Sequence, residues 1–192
     1  MRLILASNSP RRRELLSGLG LDFEVRVLPG IDESYPSNLQ GGDIPLYISR
    51  EKAAAYRDSL AADELLITAD TIVWLDGQVL EKPKDEVDAC RRLRDLSGKT
   101  HQVFTGVCLT TTEKQVSFCA CSDVTFSELS EQEILHYVRH YRPFDKAGAY
   151  GIQEWIGYVG VERIEGSFFN VVGLPVQQLY RNLKQHFNIV VK

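Results

Sequence analysis

The stretch "ELLITADTIVWL", residues 64–75, decides the fold class of this chain. It is an almost continuous run of apolar and β-branched residues, which is typical of a central strand covered on both faces. Asp76 and Gly77 follow it directly, and this residue pair favours a tight hairpin turn. The stretch therefore predicts a buried central strand that leads into a hairpin.

Outward from this strand, strand-like and helix-like patterns alternate along the chain. Strands are predicted over 2–7, 23–28, 100–113, 114–127 and 156–166, and helices over 10–20, 44–61, 85–98, 130–141 and 172–187. Because hairpins and crossover units both occur, the predicted fold is α/β, with a mixed twisted sheet and flanking helices. We expect residues 1–192 to form a single domain with two lobes around a cleft.

The composition limits the classes of function. Hydrophobic residues make up 44% of the chain and charged residues 25%, as in an ordinary globular protein. The net charge of −4 argues against a nucleic-acid binder, because such proteins are usually basic. No run approaches the roughly 20 apolar residues that a membrane span needs. The cysteines have no metal-binding spacing, and we expect them to be reduced thiols of a cytoplasmic protein: Cys90, Cys108, Cys119 and Cys121.

The stretch "SNSPRRRELL", residues 7–16, indicates an anion site. Arg11, Arg12 and Arg13 occupy the start of a predicted helix, where the positive end of the helix dipole makes cations unfavourable. One explanation is a solvated basic face. The other is a bound polyanion, since free backbone N–H groups and guanidinium groups together hold phosphate well. Because successive helical residues point about 100° apart, we expect Arg11 and Arg12, with Ser7, to reach the ligand and Arg13 to face solvent.

Asp70 lies inside the apolar stretch, where a carboxylate needs a partner. It could be a structural hydrogen-bond anchor, a general base or a metal ligand. Glu33, on the long loop 29–43, is a candidate second ligand in a divalent cation site. Mg²⁺ typically takes one or two carboxylates together with phosphate oxygens of a substrate. Asp70 and Glu33 are therefore the candidate metal ligands.

Two lysines and one turn complete the candidate site. Lys52 lies on a predicted helix and Lys82 follows a strand end, although an isolated lysine is more often simply solvated. In "DKAGAYGIQE", residues 145–154, small residues permit either close approach to a ligand or a tightly packed turn. His136 and His140 are four residues apart on a helix, but without the glutamate of a zinc motif they predict only a polar helix face.

Taken together, these stretches resemble the Maf family of nucleoside triphosphate pyrophosphatases. The resemblance runs almost end to end, in the order "ASNSPRRRELL", "REKA", "ADTIV", "LEKP", "TGV", "DKAGAYGIQ" and "IEGSFFNVVGLP". It implies a fold like that of inosine triphosphatases and cleavage between the α- and β-phosphates, which yields a nucleoside monophosphate and pyrophosphate. It also implies a divalent cation, Mg²⁺ or Mn²⁺, and leads us to expect a cytoplasmic homodimer.

The resemblance also assigns roles to single residues. Asp70 corresponds to the catalytic carboxylate, and Lys52 and Lys82 correspond to lysines that contact phosphate. Arg12, Thr71 and Gln153 match positions that separate the family's subgroups, and their identities resemble the dTTP/UTP type. The alternative is a nucleotide-binding regulator of cell division and septum formation with little turnover, which would keep the same arginine site.

Overall fold

The structure, a computed structural model, describes residues 1–191. Within that range the chain forms strands Arg2–Leu5 (β1), Phe23–Val25 (β2), Glu64–Leu75 (β3), Gln78–Leu80 (β4), Thr100–Thr110 (β5), Gln115–Phe126 (β6) and Val161–Glu165 (β7). The helices are Pro10–Ser17 (α1), Asp43–Ala54 (α2), Glu86–Leu96 (α3), Glu131–Tyr141 (α4), Trp155–Gly160 (α5), Phe168–Val172 (α6) and Val176–Phe187 (α7), and 3₁₀ turns lie at Arg57–Ser59 and Ala147–Ala149.

The strands form one mixed sheet in the order β2-β1-β3-β5-β6-β7, with β4 paired to β3. β1 is parallel to both of its neighbours, whereas β4 is antiparallel to β3 and β7 is antiparallel to β6. The predicted α/β class with a mixed sheet and flanking helices is confirmed. β3 has the bounds that its apolar run predicts, and most of its residues are buried.

The chain divides into two compact units. The first comprises 1–70, 105–120 and 173–192, and the second comprises 71–104 and 121–172. β3, β5 and β6 each pass from one unit into the other, so that β3 changes unit between Asp70 and Thr71. The expected cleft stays a prediction.

The core of the first unit covers both faces of its strands. Alternate residues of a strand point to opposite faces, so Leu65 and Ile67 join one apolar cluster with α1 and α7, while Leu66 joins another with Ala53 and Tyr56. The face of β3 that bears Leu66 is therefore the face next to α2. Thr68 and Asp70 have the same parity and belong to that face.

The second unit has its own core, in which buried residues of β5 and β6 pack with α3, α4 and the segment 149–156. At its centre, the rings of His101, Phe126 and Tyr150 meet edge to face, and the hydroxyl of Tyr150 lies 2.7 Å from His101 Nε2. The start of α4 has a capping box between Ser130 and Glu133.

The predicted strand over 156–166 is wrong in its first half, where the chain forms α5 before β7 begins at Val161. Alternating Tyr, Val and Gly residues favour a strand locally, yet Tyr158 and Val159 are exposed. The N–H of Gly157 donates to Glu154 O at 2.9 Å, which closes a helical turn on the preceding segment. The chain thus forms a short helix where its residues favour a strand, because such preferences depend strongly on context.

Candidate active site

An ion-pair cluster in the first unit brings together three of the predicted site residues. Lys52 Nζ lies 2.8 Å from Glu33 Oε1 and 2.9 Å from Asp70 Oδ1. The side chains of Lys52 and Asp70 are only 12% and 14% exposed, whereas that of Glu33 is 55% exposed. The cluster therefore lies at the surface, with one carboxylate set into the sheet and the other on a loop.

Register between α2 and β3 explains how Lys52 meets Asp70. The hydroxyl of Thr68 donates to the carbonyl of Ser49 at 2.7 Å, which ties the strand to the helix. Lys52 follows Ser49 by three residues on the same helix face. Asp70 follows Thr68 by two residues on the same strand face. Lys52 lies about one helical turn beyond Ser49, and Asp70 lies two residues beyond Thr68. The two side chains therefore meet just beyond the hydrogen bond between Thr68 and Ser49.

Gly106 allows α2 to approach the sheet closely. A Cβ at this position of β5 would lie 2.3 Å from the carbonyl carbon and oxygen of Pro45 and 2.4 Å from the nitrogen of Leu46. Those atoms belong to the backbone of the first turn of α2, which cannot yield locally as a flexible side chain would. The glycine of the "TGV" stretch is therefore needed to seat the helix that carries Lys52.

Arg12 is directed at the backbone beside Asp70. Its Nε donates to the carbonyl of Gly173 and its Nη1 to the carbonyl of Ala69, each at 2.9 Å. Burial lowers the pKa of Arg12, and the negative charges of Asp70 and Glu33 oppose this shift. Arg12 thus holds the backbone of β3 in place directly before Asp70, in addition to any role in binding a ligand.

The start of α1 is capped by Ser9. Ser9 accepts a hydrogen bond from the N–H of Arg12 at 3.4 Å, and Ser7, which is buried, accepts one from the N–H of Ser9 at 3.2 Å. Arg11 is half-buried and Arg13 is exposed. Arg13 is thus exposed as expected, although its Nε donates to the carbonyl of Ser7 at 3.5 Å, while Ser7, Arg11 and Arg12 lie on one strand-to-helix turn.

The remaining predicted residues lie in the second unit. Thr71 directly follows Asp70 on β3 and is half-buried, and Lys82 is exposed in the connection between β4 and α3. Gln153 is also exposed, on the turn between the 3₁₀ segment and α5.

The turn over 145–154 is tightly packed within its own unit. Gly148 has φ +67°, and a Cβ there would lie 3.0 Å from the side chain of Val73. The N–H of Gly151 donates to the hydroxyl of Tyr137 at 2.9 Å. The local sequence pattern does not single out Tyr137. The one indication is its place on the buried face of α4, because a buried tyrosine hydroxyl usually has a hydrogen-bond partner.

The residues Glu33 and Asp70 fit a divalent cation by the chemistry of their donors. Both are carboxylates, the hard oxygen ligands that Mg²⁺ and Mn²⁺ prefer, and both already lie within ion-pair distance of one ammonium group. Within residues 1–191, no group of three or more His, Cys, Asp or Glu side chains is arranged so that it could hold a metal ion. The rings of His136 and His140 lie 4.3 Å apart at a tilt of 31°. Both residues are exposed, which agrees with a polar helix face.

Comparison with known proteins identifies the family. The model of the family described as "Maf-like protein" matches residues 2–186, and the chain belongs to this family. A protein of Bacteroides thetaiotaomicron named dTTP/UTP pyrophosphatase is 66% identical over 184 residues, which are 96% of this chain and 95% of that protein. A protein of Parabacteroides distasonis with the same name is 59% identical over 97% of this chain and 96% of its own length. A solved structure, the Staphylococcus aureus Ham1 protein, aligns with TM-score 0.49 and 12% identity over 66% of this chain and 72% of its own.

Proposed function

We propose that this protein is a nucleoside triphosphate pyrophosphatase that hydrolyses dTTP and UTP to the nucleoside monophosphate and pyrophosphate. The support comes from relatives of that name that are 66% and 59% identical over nearly the whole chain. The observation that carries the proposal in the structure is the contact of Lys52 with both Glu33 and Asp70. It places a buried carboxylate and a cation beside the turn that carries the arginines.

Asp70 is the proposed general base. In hydrolysis, a water oxygen bonds to the α-phosphorus, the bond between that phosphorus and the bridging oxygen breaks, and pyrophosphate leaves. The attacking water loses its proton, which Asp70 is placed to accept. Positive groups near the phosphates stabilise the charge that develops on the leaving pyrophosphate. We assign this role to Lys52, Arg11 and Lys82, with the hydroxyl of Ser7 and the guanidinium of Arg12 at the edge of the phosphate site.

We propose that Glu33 and Asp70 hold a divalent cation, Mg²⁺ or Mn²⁺. When bound, such an ion neutralises phosphate charge and orients the triphosphate. The carboxylates of Glu33 and Asp70 would then share their charge between the ion and Lys52.

Selectivity for the base is assigned to three residues. Gln153 presents an amide that both donates and accepts, and so can read the edge of a pyrimidine. Thr71 adds a hydroxyl next to the catalytic carboxylate in sequence. Arg12, through its bonds to Ala69 and Gly173, sets where that part of β3 lies.

The test is a panel of nucleoside triphosphates assayed with Mg²⁺ and with Mn²⁺, in which pyrophosphate and inorganic phosphate are measured separately. We expect pyrophosphate, with dTTP and UTP preferred. Release of inorganic phosphate alone would indicate a phosphomonoesterase. Tight binding without either product would indicate the regulator of cell division, which the identity to named pyrophosphatases does not favour.

Location and assembly complete the proposal. Within residues 1–191, no helix combines the length and the hydropathy that a bilayer span requires. We propose a cytoplasmic homodimer that binds neither nucleic acid nor membrane. Sedimentation of the purified protein measures the oligomeric state directly.

A further inference from the structure

One buried hydroxyl in the second unit ties together both ends of the turn that carries Gln153. The hydroxyl of Tyr137, on α4, accepts a hydrogen bond from the N–H of Gly151 at 2.9 Å. It donates its own hydrogen to Glu154 Oε2. The other carboxylate oxygen, Glu154 Oε1, lies 3.1 Å from Lys146 Nζ. Tyr137, Glu154 and Lys146 thus form one connected network around the turn.

Most of the network is shielded from water. Tyr137 is 0% exposed and Lys146 is 8% exposed, whereas the side chain of Glu154 is 21% exposed. Burial raises the pKa of Tyr137, and the hydrogen bond to Glu154 raises it further, so the hydroxyl keeps its proton. A buried ion pair gains little net stability, because both charges lose their hydration. The pair therefore adds little to the stability of the turn, but it can hold the turn in one geometry.

Close packing holds the turn from the other side. The N–H of Glu154 donates to the carbonyl of Gly151 at 2.9 Å. A Cβ on Gly151 would lie 3.0 Å from both Glu154 Cδ and Lys146 Cε, and a Cβ on Gly157 would lie 1.7 Å from the carbonyl oxygen of Ile152. The backbone on each side of Gln153 therefore has little room to shift.

Gln153 is exposed on this turn. It follows the buried Ile152 and precedes the anchored Glu154. We propose that Tyr137, Glu154 and Lys146 are positioning residues that hold Gln153 in the orientation needed to read the base of a nucleotide. This inference rests on the proposed function. It adds, to the residue that contacts the base, the neighbouring residues that hold that residue in place.

The physical reason is pre-organisation. A glutamine amide distinguishes thymine from cytosine only if its donor and acceptor lie within a fraction of an ångström of the base edge. Loss of the network lets the turn sample other geometries, so binding of the preferred base weakens while the chemistry at the phosphates continues. The variants therefore raise KM for dTTP and leave kcat nearly unchanged.

The experiment is a double-mutant cycle of Tyr137→Phe and Gln153→Ala. Binding of α,β-imido analogues of dTTP and dCTP is measured by calorimetry, which requires no turnover. We expect each single variant to lose about tenfold in the preference for the dTTP analogue, as for one lost hydrogen bond. The double variant should lose no more than Gln153→Ala alone, because Tyr137 acts through Gln153. The control is Tyr141→Phe, which removes a hydroxyl one turn further along α4 and should change nothing.

Two results would overturn the inference: a folded Tyr137→Phe protein with the wild-type preference, or losses that multiply in the double variant. If Tyr137→Phe does not fold by circular dichroism, Glu154→Gln decides. It keeps an acceptor for the Tyr137 hydroxyl but removes one of the two carboxylates that Lys146 pairs with, the other being Asp145 at 2.8 Å. We expect about a threefold loss, so an unchanged preference would also overturn the inference. Failure of the proposed function is a separate result, since wild-type protein would then release no pyrophosphate from dTTP.

Discussion

At the scale of single residues, Asp70 is the group on which turnover depends most. We predict that Asp70→Asn lowers kcat for dTTP by about 10²–10⁴-fold, the usual contribution of a general base. The fold should persist, because asparagine still offers Lys52 an acceptor oxygen. Pyrophosphate release measures the effect. The matched control is Glu51→Gln, which neutralises an exposed carboxylate beside Lys52 on α2 and should leave kcat unchanged. A folded Asp70→Asn enzyme with the wild-type rate would contradict this role.

The arginine run gives a second residue-scale prediction, in which Arg12 and Arg13 behave differently. Arg12 spans two carbonyls, those of Ala69 and Gly173, which the single ammonium of lysine cannot do in the same geometry. Arg12→Lys should therefore be nearly as damaging as Arg12→Ala, with loss of turnover and about 2–3 kcal/mol of stability.

Arg13→Ala is the control for this series, because Arg13 is exposed and should leave KM for dTTP nearly unchanged. Urea unfolding and steady-state kinetics measure the two effects. Full activity and stability in Arg12→Lys would mean that charge alone matters at this position.

The sequence predicts which residues form the candidate site better than it predicts which residues they contact. A carboxylate inside an apolar run singles out Asp70, whereas Glu33 is suggested by its charge and its place on the long loop 29–43, which also carries Asp32. Their meeting through Lys52 depends on the bond between Thr68 and Ser49, which no local pattern contains. Tyr137 was missed because its partner Gly151 lies fourteen residues away, beyond the end of its own helix.

At the scale of elements, β3 and α4 were predictable because local signals agree with the tertiary structure. β3 has an apolar run bounded by a turn pair, and α4 has a capping box. The region of α5 and β7 was not, because its alternating residues favour a strand while the helical turn depends on contacts with the preceding segment. The bounds of an element follow from sequence only where local preference and packing point the same way.

The seating of α2 on the sheet leads to an element-scale prediction for Gly106. Gly106→Ala introduces a Cβ at 2.3 Å from backbone atoms of Pro45, so the first turn of α2 has to move away from β5. We expect a loss of about 2 kcal/mol or more in the free energy of unfolding, as for overpacking against backbone. Lys52 moves with the helix, so turnover should fall as well.

Gly77→Ala serves as the control for this substitution, because Gly77 has open space around it and its φ of +82° makes the change costly only through backbone strain at a distant hairpin. The control should lose stability without loss of kcat in the folded fraction. Wild-type stability and turnover in Gly106→Ala would contradict the close approach.

At the scale of the whole molecule, the alternation of strand and helix patterns on both sides of the central strand predicts a mixed α/β sheet. The places where β3, β5 and β6 pass from one unit to the other carry no sequence signal, because the strands continue unbroken through them. Asp70 and Thr71, to which we assign roles in catalysis and in base selectivity, are adjacent on β3 but belong to different packing units. The order of strands and the division into units are thus properties of the assembled sheet.

The pH dependence of stability depends on Glu64, which joins separate segments of the first unit. Its carboxylate lies 2.7 Å from Arg26 Nη2 and 2.9 Å from Arg2 Nη2, and it accepts the N–H of Ala61 at 3.0 Å. The hydrogen bond from Arg26, followed by that from Ala61, lowers the pKa of Glu64 from 4.5 to about 2. A carboxylate with a lowered pKa in the folded state contributes stability that is complete above about pH 5 and is lost as the pH falls toward 2.

We therefore predict that Glu64→Gln lowers the free energy of unfolding at pH 7 by about 2–3 kcal/mol, since a charged hydrogen-bond acceptor is lost beside two arginines. The variant should also lose less stability than the wild type between pH 5 and pH 3 (roughly the range in which Glu64 is protonated in the unfolded chain but still charged in the folded protein), so the two curves converge in acid. Urea unfolding at a series of pH values measures both effects. Glu14→Gln, at an exposed position of α1, should instead run parallel to the wild type. Parallel curves for Glu64→Gln would mean that this carboxylate does not link the folding of the first unit to pH.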